Sequence, residues 1–325
     1  MIYSSAPLRV SFAGGGTDYK EFIAKHPGIC VGVGLSKRVH VFINDLSELS
    51  DEKIRFTYRK TESVKNLESI IHPVVREVLR FFGVGAGVNI ATMADLPGKT
   101  GLGSSSAFTV ALIAGISRFK GHELEPDEIA QIAVKVERQI LNEPGGLQDQ
   151  YMATFGGLRS YTFHPDQVIV SEDYLSNDLK AKLDSSMALS PIGPLRLSSS
   201  GAEKTTSAIN DRKGFETLLK NFDTAQTLSQ ELAEQKNIVD SLIFAINENW
   251  KLKKVFQGIE NPELHKLITD ISNLGSNASK ICGAGESGFI LTVLSDPSIF
   301  EKLRKLKIQT ILPGVNSDGV KVIRI

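Results

Sequence analysis

Cysteine is almost missing from this chain: two residues, Cys30 and Cys282, stand far apart and outside any metal-ligand spacing. That excludes a disulfide framework and a cysteine-built zinc site, and leaves two buried free thiols suited to a reducing compartment. An excess of either charge sign is also lacking. Lysine plus arginine and aspartate plus glutamate each number 37, which removes the electrostatic argument for nucleic acid or an anionic membrane as main partner. Long apolar runs are scarce; the longest, AFTVALIAGI at 107–116, is too short to span a bilayer. The opening MIYSSAPLRVSF has no basic stretch followed by a long apolar one, so the expectation is a cytoplasmic chain with no secretory signal. Internal repeats, low-complexity tracts and charged tails are not seen. What remains, 41% hydrophobic and 23% charged over 325 residues, is ordinary globular composition with material for two domains.

Short strands are expected at 7–12, 28–35, 40–45, 53–60 and 87–93, with helical periodicity at 72–82. A run from Ala107 to Phe119 is apolar on most sides, as in a buried helix. Residues 126–141 form an amphipathic pattern with Pro126 in the first turn and Asp127 and Glu128 at its positive end. LQDQYMATF predicts a short helix and GGLRSYTF a strand. Beyond about 175 long helical segments dominate, at 202–211, 214–235, 238–257 and 262–274. The chain then closes with strand–loop–strand at KICGAGESGFILTVL, a helix at 297–306 and short strands at 309–312 and 320–324. No regular βαβ repeat appears, so the class is α+β, with domains expected at 1–175 and 176–325.

Three glycine-rich stretches are candidates for phosphate chemistry. GKT at 98–100 fails the P-loop spacing, because Met93 stands where a glycine is needed. GAGESG at 283–288 has dinucleotide spacing but runs into a strand pattern, FILTVL, where a Rossmann loop opens a helix. LPGKTGLGSSSAF at 96–108 differs: it enters the buried helix directly. Free N–H groups in a first turn, with the helix dipole, attract an anion. Glycine permits close backbone approach and serine adds hydroxyls, although a helix merely capped by Ser104 would need only one serine. Three carboxylates stand near glycine turns: Asp18 after AGGG, Asp149 after PGGLQ, and Glu137. At 100° per residue, Glu137 lies about 80° from Ile129, on the border of the apolar face. Such a carboxylate either snorkels to solvent or serves a metal or base. Together the three suggest a magnesium–nucleotide site.

APLRVSFAGGGTDY (6–19), LPGKTGLGSSSAF (96–108) and ICGAGESGFILTV (281–293), in that order, resemble the GHMP kinase superfamily of galactokinases, homoserine kinases, mevalonate kinases and phosphomevalonate kinases. Within it, PGGLQDQYMATFGGL is most similar to the D-glycero-D-manno-heptose 7-phosphate kinases, with part of that motif shared by L-fucokinases. The resemblance covers nearly the whole chain. It implies a ribosomal-S5-like N-terminal domain, a ferredoxin-like C-terminal domain and an active site between them. It further implies ATP bound by Pro97, Gly101, Leu102, Gly103, Ser104, Ser105 and Ser106, supported by Gly283 and Gly285. Mg2+ would sit on Ser105 and Glu137, with Asp149 as the catalytic aspartate. Acceptor residues would be Gly15, Gly16, Thr17, Asp18, Gly146, Arg9 and Arg196. GGGTDY replaces the GEHTDY of galactokinases, which argues against galactose, and Ser287 replaces a common glycine.

The implied reaction is in-line transfer from ATP to the anomeric hydroxyl of a sugar phosphate, feeding lipopolysaccharide or capsule heptose. A second phosphate on the acceptor calls for cations, with Arg9, Lys99, Arg159 and Arg196 as candidates. A kinase for a free hexose such as L-fucose, a transiently phosphorylating decarboxylase, and a non-catalytic binding module on the same fold stay open as alternatives. Self-association as a homodimer is open too.

Overall fold

Strand β1 (Ile2–Ala13) is buried along almost its whole length, then breaks at a glycine turn into the short helix α1 (Lys20–Ile23). In this computed structural model the described residues are 1–325 apart from 99, 193–198, 258, 260, 284–287 and 295, with only the backbone of 199 and 200. The stretches GICVGVGL and HVFIND, read as two strands, form one: β2 (Gly28–Asp45). It stays continuous because β1 pairs with it from end to end, while its other edge is shared between two later strands.

A hairpin β3 (Ile54–Thr57) and β4 (Thr61–Val64) precedes α2 (Pro73–Phe81) and β5 (Val88–Ala94). Then come α3 (Ser104–Phe119), α4 (Pro126–Val134), a π-helical turn (Lys135–Ile140) and α5 (Gln148–Phe155). Strands β6 (Leu158–Phe163) and β7 (Val168–Val170) follow. The remainder is α6 (Asn177–Ser186), β8 (Met187–Ile192), α7 (Ser199–Asn210), α8 (Arg212–Ala233), α9 (Ile238–Gln257), α10 (Pro262–Asn273), β9 (Ser276–Ile281), β10 (Gly288–Leu294), α11 (Ser298–Lys305) and β11 (Lys321–Arg324).

The large sheet runs β11-β1-β2-β5-β3-β4, with β6 on the other half of β2 and β7 beyond it; β3 and β5 are its parallel pair. The small sheet is antiparallel, β8-β10-β9. The last strand thus returns to the sheet of the first, Ile2 opposite Arg324. Expected strand 309–312 is only a bridge, Leu189 to Ile311, and α6 and β8 lie where no element was expected.

Helix α3 is buried on nearly every side, as its composition predicts, and lies on β1 and β2. Gly115 makes the contact close: a Cβ there would stand 2.6 Å from Ser4 Oγ and 2.7 Å from Ile43 Cδ1. That packing fixes the axis of α3, and so the position of its N-terminus. Two bulges in β1, between Pro7 and Arg9 and between Ser11 and Ala13, set the pitch of the strand as it leaves the sheet toward the same point.

Candidate active site

A cavity of about 530 Å³ opens where the N-terminus of α3, the turn after β1, the loop before α5 and helix α9 converge. Its floor is the glycine–serine loop. Gly101 (φ 75°) and Gly103 (φ 72°) are left-handed, and Gly103, not Ser104, is the N-cap, without a side-chain cap. The first-turn N–H groups of α3 therefore have no side-chain acceptor and face the cavity with Ser104, Ser105 and Ser106. Gly101 backs onto the third glycine motif: a Cβ would stand 2.6 Å from Cys282 O. Gly283 in turn would place a Cβ 2.3 Å from Gly101 Cα. Leu102 is buried, with its carbonyl accepting from Arg9 N at 3.0 Å, and Pro97 O accepts from Thr100 Oγ1; neither lines the cavity. Lys99, Arg196, Gly285 and Ser287 lie outside the described residues.

The turn Gly14–Asp18, where acceptor residues are expected, forms a second side of the cavity. Gly15 and Gly16 line the cavity, whereas Thr17 is fully buried, its hydroxyl donating to Gly14 O and Ile29 O, and so serves to lock the turn. Asp18 is buried and accepts from Gly16 N (3.0 Å), Gln148 N (3.0 Å) and Gln148 Nε2 (3.3 Å). Burial raises its pKa, and Asp149 adds to the rise against the lowering effect of the backbone donors. Gly146 is obligatory here, since a Cβ would lie 1.9 Å from Asp18 Oδ2.

Asp149 opens α5. Its Oδ1 accepts from Arg9 Nε (2.8 Å) and Nη2 (2.6 Å), and Arg9 Nη1 donates to Gly101 O at 2.7 Å. One guanidinium thus ties the carboxylate to the glycine–serine loop. Arg9, expected on an acceptor phosphate, is committed to Asp149 instead. Oδ2 of Asp149 has no protein donor among the described residues and stays available to a hydroxyl.

Glu137 belongs to the π-helical turn that replaces the last turns of the single helix expected over 126–141. The wider turn carries Glu137 from the border of the apolar face inward, to 1% exposure. Thr109 Oγ1 (2.5 Å), Ser106 Oγ (2.8 Å) and Gln150 Nε2 donate to it, and Arg138 Nη2 lies 3.8 Å away. The serine bonded to Glu137 is Ser106; Ser105 is exposed in the cavity mouth. Among the described residues no three acidic, histidine or cysteine side chains gather as a protein-only metal cage. Magnesium does not need one, because it takes one or two carboxylates and completes its shell with phosphate and water. One buried carboxylate and two serines beside a phosphate loop, with Gln150 Oε1 buried and unpartnered next to them, fit that donor set.

The opposite wall comes from residues that sequence reading passed over. Lys280 on β9 donates to Ser11 O (2.9 Å), Phe12 O (3.3 Å) and Asn249 Oδ1 (2.6 Å). Asn249 Nδ2 donates to Asn221 Oδ1 (2.8 Å), and Asn221 bonds Gly14 N and Gly15 O, so α8, α9 and β9 hold the Gly14–Asp18 turn by a buried polar chain. Lys253 on α9 donates to Ile281 O (3.3 Å) and Gly283 O. Burial lowers the pKa of Lys280 to about 8 and of Lys253 to about 7, each helped by neighbouring positive charge. The available signal was Asn249, Lys253 and Gln257 at i, i+4, i+8 on an otherwise apolar helix face, and a lysine amid a buried strand. Arg159, by contrast, donates to Ser171 O away from the cavity.

Residues 69–157 match the family model described as GHMP kinases N terminal domain. The chain is 26% identical to D-glycero-alpha-D-manno-heptose 7-phosphate kinase of Campylobacter jejuni, over 94% of this chain and 93% of that protein. It is 21% identical to L-fucokinase/L-fucose-1-P guanylyltransferase of Bacteroides fragilis, over 94% of this chain but 36% of that larger protein. Among solved structures, a D-glycero-D-manno-heptose 1-phosphate kinase from Bacteroides thetaiotaomicron superposes with a TM-score of 0.80 at 23% identity, covering 100% of this chain and 99% of its own.

Proposed function

We propose that this chain, which carries a GHMP kinase N-terminal domain and has the GHMP kinase fold, is an ATP-dependent kinase for the anomeric hydroxyl of D-glycero-D-manno-heptose 7-phosphate, giving the 1,7-bisphosphate. The observation that carries the kinase reading is the Arg9 bridge: it sets Asp149 at the edge of a loop built for phosphate. The choice of sugar is supported by the likeness to the Campylobacter enzyme across almost the full length of both chains. Residues 1–175 would supply the nucleotide side and 176–325 the opposite wall, in a cytoplasmic protein; no helix among the described residues is long and apolar enough to cross a membrane.

Phosphoryl transfer asks a protein for alignment and charge neutralisation more than for covalent chemistry. The N–H groups of Ser104–Ser106 and the dipole of α3 neutralise the triphosphate. Glu137 and a loop serine would hold magnesium, which would supply further positive charge at the phosphate oxygens. Asp149, oriented through Oδ1, uses Oδ2 to align the anomeric hydroxyl and takes its proton as the oxygen bonds the terminal phosphorus and the bond from that phosphorus to the bridging oxygen breaks, releasing ADP. Asp18, pinned by Gly16 and Gln148, holds a second sugar hydroxyl.

Incubation with MgATP and a panel of heptose 7-phosphate, free heptose, L-fucose and D-mannose, read by phosphorus NMR, tests the proposal. A new anomeric phosphate should appear with heptose 7-phosphate alone. Faster turnover of free L-fucose would favour the second reading, for which the fucokinase likeness over 94% of this chain speaks.

A further inference from the structure

We propose that Lys253 and Lys280 form a phosphoryl-binding subsite between the nucleotide loop and the acceptor turn. Both residues line the cavity, and both are less than a tenth exposed. Their hydrogen-bond partners are all neutral: main-chain carbonyls and the Asn249 amide. Among the described residues no carboxylate pairs with either. The charged and titratable groups facing them are each other, Arg9, Cys282 and Cys30. Arg9 is already matched by Asp149, and burial keeps both thiols protonated. Two lysines thus stand buried in one cavity wall without a counter-charge, an arrangement in which their charged forms cost stability until an anion arrives.

Their placement says what kind of anion. Lys253 holds Gly283 O, and Gly283 is backed against Gly101 of the phosphate loop. Lys280 holds Ser11 O and Phe12 O, just ahead of the turn that carries Asp18. The pair therefore spans the gap a phosphoryl group must cross. Protonated Lys280 has all three N–H groups engaged and is held in place; protonated Lys253 has two partners and keeps one N–H for a ligand oxygen. A phosphate in this place is either the terminal phosphate of the nucleotide or an ester already on the acceptor. This inference rests on the kinase reading but not on the identity of the sugar.

Equilibrium binding to the full chain by calorimetry separates the sources. ATP is compared with ADP, and heptose 7-phosphate with heptose, for wild type, Lys253→Met and Lys280→Met. Methionine keeps the length of the side chain without its charge, and thermal unfolding identifies any variant that does not fold, in which case the other decides. The expected result is a loss of about 10- to 100-fold in preference for the phosphate-bearing partner of one pair. Loss within the ATP/ADP pair assigns the subsite to the donor; loss within the sugar pair assigns it to the acceptor. Equal changes across both members of both pairs, or no change, overturn the proposal. A protein that binds neither sugar refutes the heptose reading and leaves the ATP/ADP pair to decide this one.

Discussion

The two walls of the cavity are made of different material. The wall at the glycine–serine loop is backbone: left-handed glycines at 101 and 103, the bare first turn of α3, and Gly283 pressed against Gly101. The wall across from it is side chain: Lys253, Asn249 and Phe256 from α9, Thr205 from α7 and Lys280 from β9. Backbone sites need several successive residues in special conformations, so they leave a dense local signature. Side-chain sites draw one residue from each of several elements, and each residue looks ordinary in its own neighbourhood. The carboxylates lie between these extremes, since Asp18 and Asp149 are side chains that glycine turns bring into place.

The sharpest test of the comparison falls where the walls meet. Asp149→Asn should lower kcat by about 10²- to 10⁴-fold with little effect on ATP affinity. An unchanged kcat would remove Asp149 from the reaction and leave the cavity a binding site only. The next largest effect probes the backbone wall. Gly283→Ala must relieve a 2.3 Å approach to Gly101 Cα as well as a φ of 63°, whereas Gly121, with φ 81°, has nothing within 4 Å of its Cβ position. Gly121→Ala should therefore cost only left-handed strain, about 1–2 kcal/mol, measured by urea unfolding. Gly283→Ala should cost more and weaken ATP binding as well. If the two variants lose equally, the loop–loop contact contributes nothing beyond dihedral strain.

The same division explains what was legible beforehand. The helix after GLGSSSA is legible because it is apolar on most sides, whereas the role expected of the AGGGTD turn rests on the family resemblance. Glu137 was placed on a border because an α-helical wheel was assumed; the π-helical turn moves it inside, and nothing in KVERQI announces that turn. Strand β2 was cut in two at the polar Ser36–Arg38, which tertiary pairing with β1 overrides. Strand β8 is not legible in MALSPI, where Ser190 and Pro191 break the apolar run, and Ile311 makes a single bridge where a strand is expected. Arg9 is one of four candidate cations in the sequence, and its pairing with Asp149, 140 residues away, is not legible there.

A smaller effect measures the burden on the side-chain wall. Lys253 has its pKa lowered to about 7 in the folded chain, against an ordinary value of 10.5. Between those values the unfolded chain holds a proton that the folded chain has released, so stability rises with pH. Below about 7 both states are protonated and the full cost of burying the charge is present. The contribution should approach about 1 kcal/mol per pH unit between pH 8 and 9. Lys280, lowered to about 8, acts in an overlapping window, so the informative quantity is the difference between wild type and Lys253→Met. Urea unfolding without nucleotide at pH 7, 8 and 9 should show wild type gaining on the variant at each step. A constant difference would mean that Lys253 stays charged in the folded protein.

The smallest effect expected is also the one that separates an anion site from a capped helix. If the serines after Gly103 served the helix alone, Ser104 would be its N-cap, and alanine there would cost about 1 kcal/mol. The N-cap is instead Gly103, and no side chain accepts from the first turn of α3. Ser176 supplies the control within the same molecule, for its side chain accepts from Leu179 N at 3.2 Å at the start of α6. Ser176→Ala should lower stability by about 1 kcal/mol, and Ser104→Ala by less than about 0.5 kcal/mol, both read from urea unfolding without ligand. With ATP present the order should reverse: Ser104→Ala loses part of the ligand-induced stabilisation and Ser176→Ala keeps all of it. Equal costs at the two positions without ATP would return Ser104 to the role of a cap and weaken the case that this helix start is held open for phosphate.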